Sequence, residues 1–154
     1  MTADWTPRQP GQPAAGRRRA VNAGRLWAGG VATAVVAALI AIVGILIARG
    51  IFDIAVLAPK KSGTWGNANT VTYALVAFGA GLLATALIHV LLLSTPSPFT
   101  FFGWILGLGT LAAALAPFAA GGDLAPKVTT AVINAVIGIG IWSLTASTAR
   151  RSVL

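Results

Sequence analysis

Residues 71–93 read VTYALVAFGAGLLATALIHVLLL, a run of twenty-three positions without one Asp, Glu, Lys or Arg. At about 1.5 Å of rise per residue this makes a helix of roughly 34 Å, enough to cross a hydrocarbon layer about 30 Å thick. Asn69 stands just before the run, where its side chain can accept a hydrogen bond from an otherwise unpaired helix N–H. The run stops at Ser94-Thr95-Pro96-Ser97-Pro98. Ser97 is a suitable N-cap and Pro98 fits the first helical position, where a missing N–H does no harm, so a tight antiparallel helix hairpin is predicted.

The same composition extends in both directions, giving four apolar blocks at about 27–48, 71–93, 99–120 and 127–147. The fold class expected is all-α, an integral membrane bundle of four transmembrane helices, with residues 27–148 as the membrane domain. Overall 56% of residues are hydrophobic and 9% charged, against about 45–50% and about 25% in soluble domains. So few charges cannot cover a soluble surface. Pro126 falls where the fourth helix begins, and Pro117 predicts a bend or an early stop in the third. The connection 50–69 joins an apolar half, Ile51 to Leu57, to a polar half containing Lys60 and Lys61. It either extends the first helix after a break or lies at the interface, anchored by Phe52 and Trp65.

Residues 1–26 hold Pro7, Pro10, Pro13 and the triplet Arg17, Arg18, Arg19 with little to bury, and read as a disordered basic tail. Residues 149–154 form a second short basic tail. The first apolar block is too long for a signal-peptide core of about 7–15 residues and ends without a small-x-small cleavage pattern. A twin-arginine signal is rejected as well, because Arg18-Arg19 is followed by Ala20-Val21. With four crossings both tails share a side. They carry Arg8, Arg17, Arg18, Arg19, Arg25, Arg150 and Arg151, whereas Arg49, Lys60, Lys61 and Lys127 lie opposite, so the tails are expected on the cytoplasmic side. Arg17, Arg18, Arg19, Arg25, Arg150 and Arg151 form a basic cluster suited to anionic lipid at the membrane surface.

The net charge of +8 reflects eleven Lys and Arg against three acids, so scarcity of acid makes the chain basic. Without a polar surface bearing stacking aromatics, no nucleic-acid partner is expected. The absence of Cys excludes disulfides, thiolate metal sites and thiol nucleophiles. Asp4, Asp53 and Asp123 all lie outside the apolar blocks, which leaves His89 as the ionisable side chain at depth. It reads first as an interfacial or packing histidine, with a proton-sensing or ligand role as the alternative. Asn134 lies too far along its helix to share a site with His89, roughly 18 Å away in height, but Tyr73 can reach it. No catalytic residues, metal ligands or cofactor site emerge, and an enzyme is not expected.

A steric pattern is stronger. Tyr73, Ala77, Gly81, Thr85 and His89 recur every four residues, as do Thr130, Asn134, Gly138, Trp142 and Ala146; the first helix adds Gly30, Ala34 and Ala38. Small residues at this spacing let helix backbones approach closely where lipid supplies no hydrophobic drive. Gly103 and Gly107 in the third helix read as internal contacts, with homodimerisation as the alternative. Gly107-Leu108-Gly109 and Gly138-Ile139-Gly140 lie in apolar runs without the following Lys or acid of a phosphate-binding loop, so nucleotide binding is rejected.

RLWAGG from Arg25, ARGIFDIAVLAP from Ala48, TFFGWILGL from Thr100 and AVINAVIGIGI from Ala131 resemble an actinobacterial family of four-pass membrane proteins known as domain of unknown function 6069. The resemblance covers about 25–147. It implies a bacterial inner membrane and supplies no activity. The expected function is therefore that of a non-enzymatic structural or interaction protein whose partners are membrane lipids, a second copy of itself or another membrane protein. The alternative is a small transporter or channel subunit with a path lined by Thr85, His89 and Asn134.

Overall fold

The computed structural model describes residues 21–59 and 65–153. Four helices form an all-α bundle: α1 (Ala23–Gly50), α2 (Thr70–Ser94), α3 (Pro98–Leu115) and α4 (Leu124–Ser152). Each is long and apolar enough to span a membrane, α3 when taken with the 3-10 turn Ala116–Ala119 that continues it. Large apolar side chains point outward, Leu83 at 72% exposure, Trp104 at 68% and Leu39 at 54%, while Ala34, Ala37, Ala41, Ala77 and Ala84 are buried. A soluble domain does the reverse, so the distribution marks hydrocarbon as the surrounding solvent. This is a membrane protein.

The buried seam of α1 runs through Leu26, Gly30, Thr33, Ala34, Ala37, Ala41, Ile45 and Ala48, a spacing of three or four. A strict four-residue row drifts by about 40° per step on a helix of 3.6 residues per turn. Ala38 on the expected row is accordingly only half-buried, and its neighbour Ala37 takes the core position. The correction is larger on α4. There the core seam is Thr130, Ile133, Ile137, Ile141, Thr145, Ala149 and Ser152, and the row through Asn134, Gly138 and Trp142 flanks it on the side of α3.

Helix ends explain several boundaries. Asn22 caps α1 by accepting from the Arg25 N–H at 3.0 Å, so residues 23–26 are helical, where tail was expected. Asn69 caps α2, accepting from the N–H groups of Val71 and Thr72 at 2.9 and 3.3 Å. Ser97 occupies the N-cap position of α3 with Pro98 following, yet its hydroxyl makes no capping bond. α3 stops early at Leu115 and tightens into the 3-10 turn containing Pro117, as a missing N–H and a ring clash dictate. α4 begins at Leu124, which places Pro126 within its first turn, where an unpaired N–H is the rule anyway. At its other end α4 continues through Ser152, so residues 149–152 are helix also.

The connection after α1 is neither a helical extension nor a plain loop. Asp53 adopts a left-handed φ of 51°, and the chain then enters a two-stranded antiparallel hairpin, β1 (Leu57–Pro59) with β2 (Trp65–Asn67). Val56 is wholly buried beneath it, while Phe52 is exposed. The Leu57 N–H donates to Thr130 Oγ1 of α4 at 2.9 Å, which stitches the hairpin to the bundle, and the Ala68 N–H donates to the Val56 carbonyl at 2.7 Å, which closes the base of the hairpin. At the opposite end the two termini of the bundle clasp, the Asn22 N–H donating to the Ser152 carbonyl at 3.0 Å with Val21 bridged to Val153. Both ends of the described chain therefore share one side of the bundle, and the hairpin lies on the other.

Candidate functional site

Two places in the bundle gather the polar residues singled out in the sequence. The first is the centre of the α1–α2 seam. Thr85 is fully buried, donates to the Gly81 carbonyl at 3.0 Å, and lies where any Cβ on Gly30 would stand, 2.3 Å from its methyl. A turn away, a Cβ on Gly81 would fall 2.7 Å from Ala34 Cα, closer than real Cβ contacts allow. Back-bonding to a carbonyl four residues earlier satisfies the Thr85 hydroxyl without water, which lets it serve as a small packing group. His89, four residues beyond Thr85 and half-buried, stands 6.4 Å from the Trp27 ring centroid, and its Nδ1 is buried without a hydrogen-bond partner.

The second place lies near the hairpin end. Tyr73 donates its hydroxyl to Asn134 Oδ1, joining α2 to α4, and the Asn134 amide donates to the Ala113 carbonyl of α3 at 2.7 Å. One polar side chain thus ties three helices together. Beside it a half-open cleft of about 1190 Å³ separates α2 from α3, floored by Asn134 and Ile137 of α4 and bordered by the hairpin. Tyr73 and Asn134 are brought together, and His89 is held apart from both, toward the opposite end of α2.

The α2–α3 turn is tight, but the helices do not pack along their length. α3 leans on α4 instead: Gly138 receives Thr110, and Gly103 faces Trp142 with 3.8 Å to its Nε1. Only Pro98 and Phe102 of α3 are buried, both in its first turns. A Cβ on Gly107 would meet nothing within 4 Å, so internal contact is not its role in this bundle.

The basic residues divide by end. Arg25 is exposed on the first turn of α1 and Arg150 and Arg151 on the last turn of α4, where the termini clasp, and the Arg150 guanidinium sits 5.4 Å over the Phe99 ring. Arg17, Arg18 and Arg19 lie outside the described residues, as do Lys60, Lys61 and the tail 1–20. At the hairpin end Arg49, half-buried in the last turn of α1, donates to the Ala68 carbonyl and borders the cleft. In the sequence Arg49 entered only as one of the charges opposite the tails, with no place in a site. An arginine at the end of an apolar helix with no acid within three residues was the available signal. Among the described residues no three of His, Asp and Glu gather as a metal-binding group.

These features define a four-helix membrane bundle with a closed seam and a lateral cleft. A family model described as "Family of unknown function (DUF6069)" matches residues 21–151, and the chain belongs to that family. No curated protein and no solved structure matches it significantly.

Proposed function

We propose that this chain is a non-enzymatic protein of the bacterial inner membrane, with both termini cytoplasmic, that acts by binding membrane components. Its partners in this reading are lipids, a second copy or another membrane protein. The observation that carries it is the closed α1–α2 seam: Thr85 is sealed against Gly30, and Gly81 against the Ala34 backbone. A path through Thr85, His89 and Asn134 would have to part this contact and then run most of the membrane thickness to Asn134. Catalysis finds equally little support. His89 is at one end of α2 and the two described acids, Asp53 and Asp123, are in connections at the other, so no base and orienting group meet. The cytoplasmic orientation rests on the arginine excess of the two tails.

Reconstitution tests this reading. The purified full chain in liposomes is expected to give no flux of H⁺, Na⁺, K⁺ or phosphate above that of protein-free vesicles. Flux that disappears in His89→Ala would overturn it and establish transport.

A further inference from the structure

The cleft between α2 and α3 is a poor fit to simple surface roughness. Its walls include the short side chains Ala77 and Ala80 on α2 and Ala113 on α3, beside the larger Tyr73, Val76 and Ile137. Its volume of about 1190 Å³ exceeds the roughly 300–1,000 Å³ usual for small-molecule pockets. The polar groups at its waist are already spoken for, because Tyr73 and Asn134 bond one another and Asn134 also holds the Ala113 carbonyl. Arg49 at the mouth is different. Its guanidinium offers five N–H donors, and its partner among the described residues is one neutral carbonyl, that of Ala68. A cation at the end of a membrane helix, bordering a mostly apolar cleft whose α2 and α3 walls carry the exposed Ala80 and Ala113, suits an anion with a tail.

We propose that this cleft holds one phospholipid of net negative charge, its phosphate on Arg49 and an acyl chain in the trough between Ala80 and Ala113. Charge and position select the occupant. A planar guanidinium pairs with phosphate oxygens through parallel N–H bonds, and a half-buried site strengthens them. Arg49 ends a helix of 28 residues, which places it at headgroup depth when that helix spans. Asn67 and Trp65 of β2 border the same mouth, an amide and an indole suited to the interface. The α2–α3 splay then has a use: the lipid fills the space that α3 leaves when it leans on α4. The inference deepens the binding role proposed above and rests on it.

The test uses the full chain purified in non-ionic detergent, with native mass spectrometry reading binding of dioctanoyl phosphatidylglycerol and dioctanoyl phosphatidylcholine at equal concentrations. The wild type is expected to prefer phosphatidylglycerol by about tenfold, and Arg49→Gln, which keeps a donor for the Ala68 carbonyl, to bring that preference below about twofold. Ala80→Leu combined with Ala113→Leu fills the trough from two exposed positions. It is expected to weaken both lipids by about fivefold or more while leaving the preference intact. Equal binding of the two lipids by the wild type, a preference that survives in Arg49→Gln, or unchanged binding in the double leucine variant would overturn the proposal. So would displacement of the lipid by inorganic phosphate at the same concentration, which would mean that the chain contributes nothing. Should Arg49→Gln not fold, the wild-type lipid comparison and the leucine variant decide alone. Lipid binding that fails leaves the flux result above untouched, and flux in liposomes would leave a lipid site standing, so the two readings fail separately.

Discussion

The α1–α2 seam and the α2–α3 cleft both carry small residues on their helices, yet one is shut and the other open. In the seam Gly81 meets the Ala34 backbone and Gly30 meets Thr85. In the cleft Ala80 of α2 and Ala113 of α3 line an open gap and both remain exposed. Small side chains permit close approach without compelling it, since lipid tails are as apolar as the helices and offer no net drive to expel them. What decides is where a helix finds its better partner. α3 finds it on α4, with Thr110 over Gly138, and the Tyr73–Asn134 strut holds α2 and α4 at a fixed spacing beside it.

The comparison breaks most readily at Gly81. Gly81→Ile drives a branched side chain into the Ala34 backbone, which cannot rotate away, and is expected to destabilise the bundle by about 3 kcal/mol, read as thermal unfolding in detergent. A smaller loss, about 2 kcal/mol, is expected for Gly30→Ala, because the obstructing Thr85 side chain can move. Pairing it with Thr85→Gly should recover most of that loss, and a double-mutant cycle without coupling would refute the contact. Tyr73→Phe removes the strut's hydroxyl and is expected to cost about 0.6–1.7 kcal/mol in the same assay. Gly107→Leu sharpens the contrast from the other side: its side chain enters open space, and a change beyond about 0.5 kcal/mol would show a contact where none is seen.

Much of this architecture was legible in the residues. The four apolar blocks marked four helices because a membrane span needs length, and length survives any error in boundaries. Proline and asparagine flagged the early stop near Pro117 and the cap at Asn69 through rules that act within one turn. The hairpin was hidden, since two strands of three residues each are too short to show alternation. The extra helical turn at 149–152 was hidden for another reason: it is held by a clasp with Asn22 from the far end of the described chain. For the polar residues, counting rise per residue was enough to separate His89 from Asn134 and to place Tyr73 near it. The cleft needed more. Ala80 and Ala113 look like ordinary helix alanines until it is known which helices diverge, and Arg49 gains meaning only from that gap.

The most direct test of the account uses the native absence of cysteine. Asn67→Cys in the hairpin and Arg151→Cys at the end of α4 are both exposed positions, and each would carry the sole thiol of its variant. A membrane-impermeant maleimide applied to sealed vesicles of one orientation should label one of the two and spare the other until the vesicles are opened. Labelling of both from a single face would contradict a bundle that spans the bilayer with its termini opposite the hairpin.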